Sequence, residues 1–253
     1  MKRTEDRIVV DEVALLRQAF WTSSLLTGGS VMVDVGAHTG ASLRPFLESG
    51  WDVWAFEPNP VMHAGLIKRF GRWPTLRLFP VAVSDEIKDA VPFFVSDLST
   101  GISSLVDFHD SHEPLGEVAT RRLDQLPLDV VDFLKIDVEG FDRHVFRSRG
   151  DLVPRTLVTE FEDNKTMQLG YSSGEYAEEL VAAGYTVWIS EWFPIERYGG
   201  DHRWRSLYRY DGTAPSSDSW GNFIGLHESN RVDSDVAERA LRDALTKQAG
   251  VRF

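Results

Sequence analysis

The 253-residue chain contains no cysteine, so disulfide frameworks, thiolate metal sites and thiol nucleophiles are excluded. It has no run approaching the roughly 20 consecutive apolar residues of a membrane span, and no membrane partner is expected. The N-terminus offers only Ile8-Val9-Val10 between charged stretches, which lacks the apolar core of a secretory signal, so the expected location is cytoplasmic. Positive charge is scarce too. With 27 Lys and Arg against 39 Asp and Glu, the formal net charge of -12 opposes association with phosphate backbones, and no nucleic-acid partner is expected. What is present, 42% hydrophobic and 26% charged residues, is the balance of an ordinary globular protein, and the length suits one generous domain over residues 1–253.

Asp11 is a candidate N-cap for an amphipathic helix over residues 11–26, with Val9, Val13, Leu16 and Phe20 at helical spacing. Val31–Val35 reads as a buried strand running into a glycine-containing loop and a helix-compatible stretch over 41–49. Asp52–Phe56 repeats the pattern, with a helix over 61–70 after Pro58-Asn59-Pro60. A third strand spans 76–83, where Pro80 predicts a bulge or an edge position. Val91–Val95 reads as an extra strand, and 96–117 as a polar, flexible cover. Strands over 130–136 and 156–161 flank a helix over 141–149, and a helix over 175–183 stops at Gly184 before a strand over 185–189. Strands over 204–210 and 223–227 and a helix over 234–248 close the chain. Strands alternating with helices predict an α/β fold, a doubly wound, mostly parallel sheet with helices on both faces and ligands at the carboxyl ends of the strands.

Four segments at those ends carry chemistry. Asp34-Val35-Gly36-Ala37-His38-Thr39-Gly40 lies at a strand-to-helix junction, where glycines allow close backbone approach and amides meet an anion. The G-x-G-x-x-G spacing is absent, which favours a cofactor with a single carboxylate, such as S-adenosylmethionine, over a pyrophosphate; a plain tight turn is the competing reading. Glu57 ends the second strand roughly 20 residues further on, where a carboxylate accepts both hydroxyls of a ribose or is simply solvated. Ser84-Asp85 binds an adenine amino group or caps a turn. Leu134-Lys135-Ile136-Asp137-Val138-Glu139-Gly140 is a buried strand ending in two carboxylates, which should face cofactor charges or an acceptor hydroxyl.

Taken in order, Val33–Gly40, Phe56-Glu57-Pro58, Val81–Asp85, Leu123-Asp124 and Leu134–Gly140 resemble the FkbM methyltransferases over about residues 30–162. The resemblance implies a Rossmann-like class I methyltransferase fold with a seven-stranded sheet. It also implies S-adenosylmethionine as methyl donor, S-adenosylhomocysteine as product, and O-methylation of a small natural-product or sugar-containing acceptor. On this reading residues 1–29 are an N-terminal helical segment, 30–190 the cofactor-binding core, and 191–253 a segment completing the sheet and the acceptor site. By the same resemblance, Asp34, Gly36, His38 and Gly40 hold the methionine portion, Glu57 the ribose, Ser84 and Asp85 the adenine region, and Asp137 the floor near the sulfonium. His38 departs from the asparagine more common in the family.

An alcohol acceptor is a weak nucleophile, and a positioned base that takes its proton contributes about 10²–10⁴-fold. The candidates are Glu139, Glu160, Glu162 and His144. On adjacent parallel strands the four carboxylates Asp137, Glu139, Glu160 and Glu162 should converge, and repulsion should raise one of their pKa values. Pairing with Lys135 or with arginines is the competing reading for each, and a surface position for His144. No metal site is assigned: carboxylates are common at such rims, and His109 and His112 fit an acidic loop without a third ligand. Trp188, Trp192, Tyr198, Trp204, Tyr208, Tyr210 and Trp220 offer faces for sugar rings, or serve as core and homodimer-interface aromatics. Arg203, Arg205 and Arg209 recognise an acceptor anion or face solvent. A nucleotide- or NAD-binding oxidoreductase and a non-catalytic binding protein are the alternatives.

Overall fold

A computed structural model describes residues 10–196 and 202–250. The first helix, α1 (Glu12–Leu16), is capped by Asp11, whose side chain accepts the Ala14 amide at 2.9 Å. It widens into π turns over Arg17–Thr22 instead of running on as one α-helix, while Leu16 and Phe20 still reach the core; Val9 lies outside the described residues. Then come β1 (Val31–Val35), α2 (Arg44–Glu48), β2 (Asp52–Phe56) and α3 (Pro60–Phe70). Asn59 caps α3 by accepting the Val61 and Met62 amides, and Pro60 sits in the first turn, where its missing N–H costs nothing.

The expected third strand is split at Pro80. Its first part, β3 (Leu76–Phe79), is the edge of the main sheet, whereas β4 (Ala82–Val83) leaves that sheet for a smaller one. Proline lacks the N–H that would continue the ladder. The small sheet joins β4 to β6 (His112–Arg121), which pairs antiparallel with β5 (Lys88–Ser96). Much of the expected flexible cover is therefore strand. Ser96 faces His112 in the ladder, which confines the cover to a strap over 97–111.

Next follow β7 (Phe133–Ile136), α4 (Asp142–Arg147), β8 (Thr156–Glu162), α5 (Asp163–Thr166), α6 (Ser173–Ala182), β9 (Tyr185–Trp192), β10 (Trp204–Arg209), β11 (Trp220–His227) and α7 (Ser234–Ala249). The main sheet has eight strands, ordered β10-β9-β11-β8-β7-β1-β2-β3, where seven were expected; β10 is the addition, at the far edge. From β3 across to β8 neighbours are parallel, β11 is antiparallel to both β8 and β9, and β10 is antiparallel to β9.

Side-chain alternation builds a core on each face. Met32 and Phe133 pack with α1, α2, α3 and α7 on one side, and Val33, Val35, Leu134 and Ile136 pack with α4 and α6 on the other. Trp188 belongs to the first core and is fully buried, so it is not a sugar platform. The carboxyl ends of β1, β2, β7 and β8 lie side by side, and the loops after them share one rim.

Candidate active site

After β1 the chain must turn sharply, and Gly36 makes this feasible. Its φ is +83°, and a Cβ there would lie 1.9 Å from the Asp137 carbonyl oxygen, so the loops after β1 and β7 touch through bare backbone. The Gly36 and Ala37 amides donate to the Phe56 carbonyl at 3.1 and 3.0 Å, which ties this loop to the end of β2. There Glu57 is 5% exposed. Its Oε2 accepts the His38 amide at 2.7 Å and its Oε1 the Asn59 amide at 2.8 Å. Burial raises the Glu57 pKa, and the two amides resist the rise.

These groups wall a cavity of about 180 Å³. Gly36, His38, Glu57, Asp137 and Glu139 supply its polar rim, and Phe56, Val83 and Phe141 supply apolar wall. The strap closes one side with Thr100, Gly101 and Ser103–Leu105. His38 Nε2 lies 2.8 Å from Thr100 Oγ1, and Ser104 Oγ donates to the Glu139 carbonyl at 2.9 Å, so the strap is fastened to both loops. Burial lowers the His38 pKa, which keeps its ring neutral at pH 7.

Other expected cofactor residues stand further back. Asp34 is fully buried on β1, where Ser42 Oγ donates to one oxygen and Lys135 Nζ lies 3.2 Å from the other. Burial raises the Asp34 pKa against the pull of Lys135. Lys135 also bonds the Gly36 carbonyl at 3.1 Å and approaches Asp137 at 3.3 Å. Burial opposes its charge, but the two aspartates outweigh it and raise its pKa. Gly40 packs on Leu66 and Phe70 of α3 and does not line the cavity. Ser84 and Asp85 line an adjoining cavity, shared with His144, behind the partition formed by Leu105 and Phe141. Asp85 holds His144 Nδ1 at 3.1 Å, and the His144 ring stacks on Phe141 with centroids 4.3 Å apart.

The expected carboxylate convergence is present, around a residue that sequence reading missed. Lys165 on α5 is 1% exposed at its side chain. Its ammonium bonds Glu139, lies 3.1 and 3.2 Å from the two Glu160 oxygens, and reaches Glu162 Oε2 at 2.9 Å, an ion-pair distance without hydrogen-bond alignment. Burial pushes the Glu139 carboxyl up to about 7; Lys165 resists and Asp137 adds to the rise. Burial, more than the expected mutual repulsion, is thus the leading cause. It also raises Glu160 well above the ordinary range and Asp142, which accepts the Gly140 and Val138 amides, to about 7. Ligand oxygens of Asp137, Glu139 and Glu160 lie within 4.8 Å of one another. The cation set against Glu139 and Glu160 is the Lys165 ammonium.

His109 of the strap and His112 beside it are held within the chain. The His112 side chain, buried at the start of β6, bonds the Ile102 carbonyl through Nε2 at 2.8 Å and meets Phe108 edge-on at 4.6 Å, and His109 Nδ1 lies 2.7 Å from Ser111 Oγ. The C-terminal arginines are engaged within the chain: Arg205 with Glu191 and Ser216, Arg209 with Ser234 and Asp235, and Arg203 with Glu196. Trp192 stacks on Trp220 at 5.3 Å and donates to Glu12, Trp204 donates to Ser190, and Tyr208 donates to Glu191; Tyr198 lies outside the described residues. The absent sequence signal was strongest for Lys165, whose only hint is its spacing of three residues from Glu162.

A buried acceptor after β2, a glycine turn after β1 and carboxylates after β7 thus meet at the carboxyl ends of adjacent strands, where α/β proteins receive ligands. Residues 34–187 match the Methyltransferase FkbM domain, and the chain belongs to that family of methyltransferases. The chain is 27% identical over 158 residues to the 2-O-methyltransferase NoeI of Sinorhizobium fredii, a match over 53% of this chain and 64% of NoeI. Among solved structures, it is similar to magnesium protoporphyrin IX methyltransferase (ChlM) from Synechocystis PCC 6803 with bound SAM. That match has 12% identity and TM-score 0.45, over 85% of this chain and 76% of the other. It is also similar to the N-methyltransferase NodS from Bradyrhizobium japonicum WM9, at 10% identity and TM-score 0.44, over 85% of this chain and 94% of that one. Among the described residues, no helix is long and apolar enough to cross a membrane.

Proposed function

We propose that the protein transfers the methyl group of S-adenosylmethionine to a hydroxyl oxygen of a small, sugar-containing acceptor. The observation that carries this reading is the meeting of Glu57, the Gly36–His38 turn and Glu139 on one cavity wall. The residues fit the cofactor. Each Glu57 oxygen accepts one backbone amide and keeps acceptor capacity for a ribose hydroxyl. Gly36 lets the backbone approach the methionine portion, and Asp137 offers negative charge to its ammonium and to the sulfonium. Phe56, Val83 and Phe141 form the apolar walls that receive the adenine, with Ser84 and Asp85 beyond the partition.

When bound, the donor supplies an electrophilic methyl carbon and a neutral thioether leaving group. The protein then has two tasks: to align the acceptor oxygen with that carbon in a water-poor site, and to take its proton. Glu139 is the base favoured by position, because it lines the cavity while Glu160 and Glu162 stand behind it on Lys165. A carboxyl titrating near 7 is part ionised at neutral pH and is matched to proton abstraction. The acceptor's O–H proton would pass to Glu139, leaving the oxygen's electron pair for the methyl carbon that the donor would supply. His144, held by Asp85, serves instead if the acceptor enters through the adjoining cavity. The 2-O-methyltransferase activity of NoeI supports an oxygen acceptor. The sugar rests on the family resemblance.

The test is calorimetric titration with S-adenosylmethionine, S-adenosylhomocysteine and NAD, followed by methyl transfer to a panel of glycosides. Binding of both adenosyl compounds, not of NAD, and its loss in Glu57→Ala are expected. A folded protein that binds neither adenosyl compound overturns the reading.

A further inference from the structure

Lys165 is a buried lysine that does not line the cavity, and its surroundings are built around it. Gly140 leaves room for its stem: a Cβ on that glycine would lie 2.8 Å from Lys165 Cβ. The Phe108 ring of the strap sits 5.4 Å from the ammonium and shields it from water. Three carboxylates close the rest of its shell: Glu139 from the loop after β7, and Glu160 and Glu162 from β8. Glu139 itself has φ +57°, an unfavourable backbone conformation for a residue with a side chain. Its carbonyl is held by Ser104, and its Oε2 by Lys165. Among the described residues, nothing bonds its Oε1.

We propose that Lys165 is a positioning residue for methyl transfer: it gathers the three glutamates and pins one oxygen of Glu139 so that the other meets the acceptor hydroxyl at the cavity wall. This rests on the reading of Glu139 as the acceptor's base. The ammonium does not touch the reacting atoms. It fixes the carboxyl's orientation and stabilises its ionised form, while the like charges of Asp137 and Glu162 keep that form from becoming too stable to accept a proton. The groups that set the balance are Lys165 on α5, Glu160 and Glu162 on β8, Asp137 on the same loop and Asp142 at the start of α4. Tyr171 adds an OH that donates to the Gly140 carbonyl at 2.7 Å, and the strap contributes only the Ser104 hydroxyl and the Phe108 ring.

The experiment is a carbon-13 NMR titration of glutamate carboxyl carbons in the full chain, run without ligand and with S-adenosylhomocysteine. Glu139→Gln identifies the Glu139 signal. Lys165→Met should move the Glu139 midpoint upward by about one to three pH units, because an opposite charge has gone. Glu162→Gln should move it downward, because a like charge has gone and Lys165 is less neutralised. Lys165→Arg, which keeps the charge, should stay near the parent. Shifts of opposite sign mean that the charge balance around Lys165 sets Glu139, which a lysine serving only to fill space would not produce. If Lys165→Met does not fold, Glu162→Gln decides: a Glu139 midpoint at the parental pH in that variant overturns the proposal. Failure of S-adenosylhomocysteine to bind the parent counts against the proposed function, and with it the methyl-transfer role, whereas the hold of Lys165 on Glu139 is read from the ligand-free titration.

Discussion

The Glu57 carboxylate accepts the His38 amide at 2.7 Å, which joins the loop after β1 to the end of β2 on the wall of the cavity. The partner oxygen accepts the Asn59 amide, so both oxygens face N–H donors. Glutamine, though equal in size, must then point its own NH2 at one of those donors. Glu57→Gln should lose about 1–3 kcal/mol of stability in chemical denaturation. Calorimetry should show S-adenosylmethionine binding weakened tenfold or more. Unchanged affinity in a folded Glu57→Gln would separate this carboxylate from the cofactor.

Gly36 and Gly50 provide a matched pair for testing the turn. Both have positive φ, +83° and +76°, but a Cβ at Gly36 collides with the Asp137 carbonyl whereas nothing lies within 4 Å of one at Gly50. Gly50→Ala should cost only the left-handed penalty of about 1–2 kcal/mol. Gly36→Ala carries that penalty and must also push apart the loops after β1 and β7. Its Tm should fall well below that of Gly50→Ala, and cofactor binding should go with it. Equal melting temperatures for the two variants would mean that the loops separate at little cost.

The parts of the site that were legible in the sequence lie at the ends of buried strands. Val31–Val35, Asp52–Phe56 and Phe133–Ile136 announce themselves as short apolar runs, and their rim residues Gly36, Glu57, Asp137 and Glu139 do share a cavity. Lys165 was illegible for a physical reason. In Asp163-Asn164-Lys165 it reads as one more solvated charge, and its burial depends on Glu139, 26 residues earlier, and on Gly140 yielding space. Asp34, expected by resemblance to hold the methionine portion, is fully buried, and register places it opposite Lys135 inside the sheet. The strap is similar, because the pairing of β5 with β6 that anchors it is non-local and leaves only weak alternation in the sequence.

Glu139 and Asp142 both titrate near 7 in the folded protein because burial penalises their charge, against ordinary values of 4.5 and 3.8. Between those values and 7 the folded state binds more protons than the unfolded chain, so raising the pH through this window removes stability. The cofactor-free protein should therefore be more stable at pH 5.5 than at pH 8, by of the order of 1–3 kcal/mol in urea denaturation. Glu139→Gln, which cannot ionise, should flatten the dependence. A parent protein that gains stability steadily from pH 5.5 to 8 would contradict the assignment of these raised values.

Glu12 tests whether α1 is fastened to the sheet by one buried carboxylate. Its Oε1 accepts the Trp192 indole N–H at 2.8 Å and the Ser190 hydroxyl at 2.7 Å, and Ser190 in turn accepts from Trp204 at 3.1 Å. Burial raises the pKa of Glu12 against these hydrogen bonds, so replacing it with a neutral acceptor removes little. Glu12→Gln should stay close to the parent, with its amide oxygen still able to receive both donors. Glu12→Ala strands the Trp192 and Ser190 donors in a buried setting, at a cost of about 1–3 kcal/mol. Denaturation curves read by tryptophan emission should show the alanine variant unfolding at lower urea and the glutamine variant near the parental midpoint. If both variants fall equally, the negative charge is what holds α1 in place; if neither falls, α1 is held by Leu15, Leu16 and its packing on α7.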